Sequence, residues 1–133
     1  MNALDRAAAI TIGGMDYPLL LTTRATKEIA ARYGGLENLG DKLLATDNFE
    51  QALEEIVWLI TLLANQAIAV ANHQGTGERR EPLTEEIVEL LTTPIELAEY
   101  KTAITEAMYR GTRRNVVSEP GKVALVVPAQ AGG

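Results

Sequence analysis

One histidine, no cysteine and a scatter of carboxylates are what this 133-residue chain offers to chemistry. A metal site wants several convergent His, Cys or carboxylate ligands, and a hydroxyl nucleophile wants a base beside it. His73 opens the stretch HQGTGERREP and has neither kind of partner nearby, so it reads as a solvated histidine near a helix end. The carboxylates Glu85, Glu86, Glu89, Glu96, Glu99 and Glu106 are close enough in sequence to pair for acid–base work. Their spacing puts them at outward helical positions with no second catalytic residue type beside them, which describes a solvated acidic face. Lys27, Glu28 and Arg32 form no catalytic set either; Glu28 and Arg32, four apart, predict a surface ion pair worth a few tenths of a kcal/mol. The pair Gly13–Gly14 follows a strand-like run, but a dinucleotide cradle needs a third spaced glycine and a following helix. The residues therefore predict no catalytic site, no cofactor and no metal.

What such residues would have to be mounted on is organised around one stretch, FEQALEEIVWLITLLANQAIAVAN, residues 49–72. Asn48 and Gln51 fit a capping pair, and Glu50, Glu54 and Glu55 lie where the positive end of a helix dipole favours them. Apolar residues recur at Phe49, Leu53, Ile56, Val57, Ile60, Leu63, Ala64, Ala67, Ile68 and Ala71, the spacing of one helical face. Trp58, Leu59 and Leu62 are expected on the opposite face, so the helix needs cover on more than one side. That cover could be the chain's own helices, a second copy, a partner or lipid. Lipid fits least, because the uncharged run 57–74 contains Thr61, Asn65, Gln66, Asn72 and His73, whereas a span needs about 20 mostly apolar residues. Trp58 is expected to be covered by the N-terminal hairpin or the last long helix.

The remaining elements follow from local patterns. Residues 8–12 and 17–21, joined by Gly13 to Asp16, predict a β-hairpin. Thr22 or Thr23 caps a helix to about Tyr33, stopped at Gly34–Gly35, with Ala25, Ile29, Ala30 and Tyr33 as its apolar stripe. A short helix is expected over 36–45, then the central helix, then a mobile surface loop over 73–82. Thr84 caps a helix to Leu91 with Ile87, Val88, Leu90 and Leu91 as its apolar side. Thr93-Pro94-Ile95-Glu96 is a capping box with proline at the first helical position, opening a helix to about Arg110 that Gly111 closes. The expected fold is α+β and mainly α: an N-terminal hairpin and about five helices in one domain over 1–111, with a flexible tail over 112–133. Within that tail Val123 to Val127 is strand-like but isolated between prolines.

A net charge of −6 opposes sequence-independent binding to nucleic acid, whose phosphates must be neutralised by Lys and Arg. The charge is uneven, with Arg110, Arg113, Arg114 and Lys122 against Glu119 near the end of the chain. Without cysteine a reducing compartment is compatible, and the first residues lack an apolar run of secretory length, so an intracellular protein is expected.

The opening ITIGGMDYPLLLTTRATKEIAARYGGLENL, the helix EEIVWLITLLANQAI and the stretch EPLTEEIVELL together resemble the tail assembly chaperones of long non-contractile phage tails and their prophage relatives. The likeness covers residues 9–110. It implies a non-enzymatic protein of the host cytoplasm that coats the apolar, helical tape-measure protein until tail-tube subunits assemble around it. Its expected partners are the tape-measure protein and the tail-tube protein, with self-association as a further option. A frameshifted longer product, frequent in that family, is not visible in an amino-acid sequence. Leu59, Leu62, Ile95 and Tyr100 are the candidate partner-binding residues, as apolar positions off the main stripe or near the start of the last helix. A small helical adaptor or regulatory module unrelated to phage is the other reading.

Overall fold

The computed structural model describes residues 7–35, 39, 48–75 and 77–112. It is mainly helical with a two-stranded antiparallel hairpin at its N-terminus. In chain order the elements are β1 (Ala8–Ile12), β2 (Met15–Leu19), α1 (Thr23–Tyr33), α2 (Phe49–Gln74), α3 (Glu85–Leu91) and α4 (Pro94–Thr112). Four helices thus stand among the described residues. The short helix expected over 36–45 lies outside them except for Leu39, which is buried, as do the tail beyond Thr112 and its Val123 to Val127.

The hairpin closes on a two-residue loop. Ile12 pairs with Met15, which leaves Gly13 and Gly14 alone in the turn and starts the second strand two residues early. Both glycines have positive φ, 58° and 83°, the requirement of the two-residue turn that matches strand twist. Counting out from that turn, Ala9 and Pro18 form a pair that exchanges no backbone hydrogen bonds. Proline, which has no N–H to give, is tolerated there. Alternation then drives Ala8, Ile10, Ile12, Tyr17 and Leu19 into the core, and Leu20 and Leu21 follow them.

The core is one cluster around α2, which meets β2, α1, α3 and α4. Its buried residues are Ile56, Val57, Leu59, Ile60, Leu63, Ala64, Ala67 and Ile68. At 3.6 residues per turn these span about half of the helix circumference. Leu59 belongs to this arc, at the edge next to Leu63, and is not on an opposite face: it is wholly buried. Phe49, counted in the expected stripe, is 68% exposed and stands outside the buried arc, which begins at Ile56. By length and composition α2 would be long enough to cross a bilayer. In this structure it is the core helix.

Caps decide most element ends. Thr22, Asn48 and Thr84 each accept from the amide three residues on, at 3.1, 2.9 and 3.1 Å. The Thr93–Glu96 box is reciprocal: the Thr93 amide donates to Glu96 Oε1 at 2.9 Å and the Glu96 amide to Thr93 Oγ1 at 3.3 Å. α1 ends on Gly34 in the left-handed conformation, as its sequence predicts.

Two local expectations are corrected. The loop 73–82 is not free along its length, because two asparagines of α2 grip the backbone at Arg80, inside it, and at Leu83, just past it. Asn72 brackets the backbone of Arg80, accepting from its N–H at 3.1 Å and donating to its C=O at 3.0 Å. Asn65, two turns earlier on the same face, does the same for Leu83 at 2.7 and 2.9 Å. Arg80 also stacks over the Tyr17 ring at 4.5 Å. The second correction concerns Gly111, which does not close the last helix. α4 runs through it to Thr112, and a Cβ at that position would lie 2.5 Å from Leu21 Cβ. Glycine is there to let α4 approach Leu21, whose Cβ cannot swing away.

Gly111→Ala is therefore expected to destabilise the protein by about 1–2 kcal/mol, an overpacking cost partly offset by alanine's better helix propensity. Urea unfolding of the two chains measures the difference. A stabilised variant would mean that Leu21 has room to yield.

Candidate functional site

Three places in the structure gather polar, titratable or exposed apolar side chains, and the first is the contact between α1 and α2. Arg32, expected to pair with Glu28 along its own helix, reaches across to Glu55 of α2 instead, Nε to Oε1 at 3.0 Å and Nη2 to Oε2 at 3.4 Å. The Tyr33 hydroxyl donates to the same carboxylate. The Arg32 guanidinium lies 4.4 Å above the Trp58 ring, and Tyr33 meets Trp58 edge-on with centroids 6.0 Å apart. The hydrogen bond to Glu55 raises the Arg32 pKa further above its already high value. Burial, with Glu55 beside it, pushes the Tyr33 phenol well above the ordinary range. An arginine held charged and a tyrosine held neutral do no proton transfer near neutral pH; the group is a clamp that seats α1 on α2. Trp58 is accordingly half-buried, with Arg32 and Tyr33 of α1 against its ring.

The second place is a polar trough beside the C-terminal half of α2. One cleft there, lined by Arg24, Gln66, His73, Arg79 and Arg80 among others, encloses about 560 Å³. His73 sits exposed in the last turn of α2. Among the described residues no group of three or more His, Asp or Glu could hold a metal ion.

The third place is the joint between α3 and α4. Of the apolar side expected for α3, only Val88 is buried; Ile87, Leu91 and Leu90 are 40, 49 and 75% exposed. Leu91 rests against the hairpin turn, its Cδ1 3.1 Å from where a Cβ on Gly13 would stand. Ile95, just past the Thr92–Thr93 link, is 74% exposed. A two-turn helix offers one narrow face to α2, and Leu90 and Ile95 project away from it. Alongside runs a groove of about 300 Å³ between the first turns of α2 and the joint, lined by Glu50, Leu53, Glu54, Val57, Glu89 and Leu97 with the Thr92–Pro94 link.

The structure separates the four candidate residues. Leu59 is core, and Tyr100 is buried with its hydroxyl donating to the Thr11 carbonyl at 2.5 Å. Neither offers a surface to a partner. Leu62 is half-buried against the core on α2, away from the joint, and Ile95 alone of the four stands fully open. Helical spacing puts Leu90 and Phe49 on the apolar sides of their helices, and both are largely exposed. The shortness of α3 was the one available sign, since seven residues cannot bury four large side chains on one face. Comparison with known protein families, characterised proteins and solved structures returns no match for this chain.

Trp58→Ala is expected to cost about 2–3 kcal/mol, less than the 3–5 of a fully enclosed aromatic, because one side of the ring is covered only by Arg32. Thermal melts give the value. The Tyr33 phenol makes a separate prediction. The unfolded chain ionises it near pH 10, whereas the folded chain holds the proton to higher pH, so folding stability falls as pH rises above about 10. Tyr33→Phe should flatten that alkaline fall when unfolding is followed from pH 8 to 11.

Proposed function

We propose that this protein is an assembly chaperone of long non-contractile phage tails, a non-enzymatic binder that keeps the apolar helical tape-measure protein soluble in the host cytoplasm. The carrying observation is the open apolar side of the α3–α4 joint: Leu90 and Ile95 are about three-quarters exposed in a stretch that also carries Glu85, Glu86, Glu89, Glu96 and Glu99. Monomeric proteins seldom leave neighbouring large apolar side chains uncovered unless something covers them in use. A body of net charge −6 would keep a coated client from associating with other coated clients. The resemblance of residues 9–110 to that family supplies the client's identity. Glu55 and Tyr33 are engaged in the helix clamp and Tyr100 in holding β1, which are structural tasks.

Binding of this kind rests on apolar area, so it persists at about 1 M salt, where charges are screened beyond roughly 3 Å. Co-expression with the tape-measure protein encoded beside it tests the reading. A soluble, stoichiometric complex recovered without nucleotide is the expected result. If the client is equally soluble with and without this chain, the protein is instead a helical adaptor with another partner.

A further inference from the structure

We propose that the groove between the first turns of α2 and the α3–α4 joint is the docking site, and that its occupant is an amphipathic helix whose apolar stripe is flanked by Lys or Arg. The inference rests on the reading of this protein as a binder of apolar helices, and it adds where the helix lies and what charge it carries.

The floor of the groove is apolar, Leu53, Val57 and Leu97, and its rim is acidic, Glu50, Glu54 and Glu89. Large exposed apolar residues stand next in sequence to its lining: Phe49 before Glu50, Leu90 after Glu89, Ile95 after Pro94. Charge here is one-sided. Between Pro82 and Tyr100 the chain has five glutamates and no lysine or arginine. Among the described residues the ion pairs are Arg32–Glu55 and Arg110–Glu106, so the rim glutamates have no cation of their own. A partner whose flanks are acidic would meet like charge on both sides of the groove; a basic-flanked one supplies the missing cations.

The occupant is a helix and not an added strand, because the sheet leaves no usable edge. The outward carbonyls of β1 at Ala7 and Thr11 already accept from Arg110 Nη1, at 2.9 Å, and from Tyr100. The outer edge of β2 is blunted by Pro18. A groove walled by helices, with apolar floor and charged rims, fits the helix-in-groove mode.

The test uses the full chain and two synthetic helical peptides of about 18 residues, five turns, with the same leucine stripe. One carries lysine on both flanks and the other glutamate. Fluorescence anisotropy of the labelled peptides should show the lysine-flanked one binding at least about tenfold tighter, a preference that shrinks in high salt. Glu54→Lys with Glu89→Lys changes two exposed positions, so the fold should stand, as circular dichroism would verify; the variant should reverse the preference. Equal binding of both peptides, binding of neither, or a preference that the double variant leaves unchanged overturns the proposal. Displacement of the lysine-flanked peptide by a peptide of residues 113–133 would assign the groove to this chain's own C-terminal segment. Self-association lost in the double variant would assign it to a second copy, and either result also overturns the proposal. If the lysine-flanked peptide behaves as expected while the tape-measure protein stays insoluble, the chaperone reading fails and the groove stands. If the double variant solubilises that client as well as the unaltered chain does, the groove fails and the chaperone reading stands.

Discussion

A single helix whose apolar arc covers about half its circumference cannot be satisfied by one neighbour, and that constraint organises the protein. The buried residues of α2 from Ile56 to Ile68 face β2 on one side, α1 and α4 on others, and α3 beyond them. The hairpin, α1 and α3 are each too small to fold alone. Two strands are marginal in water, and helices of 7 and 11 residues are below the length at which helices hold by themselves. They are stable because α2 gives all of them the same apolar surface to cover.

Polar contacts then fix where each piece sits on that surface. The Leu20 amide donates to the Leu63 carbonyl at 3.2 Å, tying the exit of β2 to the middle of α2. Thr22, the cap of α1, is hydrogen-bonded through its hydroxyl to Gln66, and Glu55 takes Arg32 and Tyr33 at the other end of α1. Asn65 and Asn72 treat the segment 80–83 as a strand would treat its neighbour, with paired donor and acceptor. An amide side chain that donates to and accepts from one backbone residue satisfies both of that residue's main-chain groups, so it fixes position at little cost. The helix that supplies the hydrophobic surface also supplies these anchors.

What α2 cannot cover is the far side of α3 and the start of α4. Val88 and Leu97 take the available positions against it, and Leu90 and Ile95 are left in water beside a rim of glutamates. The acidic character that keeps such a surface soluble also limits what can settle on it. At such a surface apolar area would supply affinity for a partner and charge would supply the discrimination between partners.

Local chemistry was legible in the sequence. Thr22, Asn48, Thr84 and the Thr93–Glu96 box announce their helices because a cap is decided by residues within one turn, and Gly34 ends α1 for an equally local reason. The hairpin and the central helix could be read in the same way. Partners across space could not. Nothing in the spacing of Glu28 and Arg32 says that Arg32 turns to Glu55, 23 residues away. A glycine after a helical run looks like a stop until Leu21 is found against it, and Gly111 then becomes a close approach inside α4. Leu59 and Leu90 have the same side chain at equally helical positions, and one is fully buried while the other is 75% exposed. Periodicity places a residue on a face; only the packing of α1, α4 and the hairpin around α2 decides which faces are covered, because burial depends on what arrives from elsewhere in the chain.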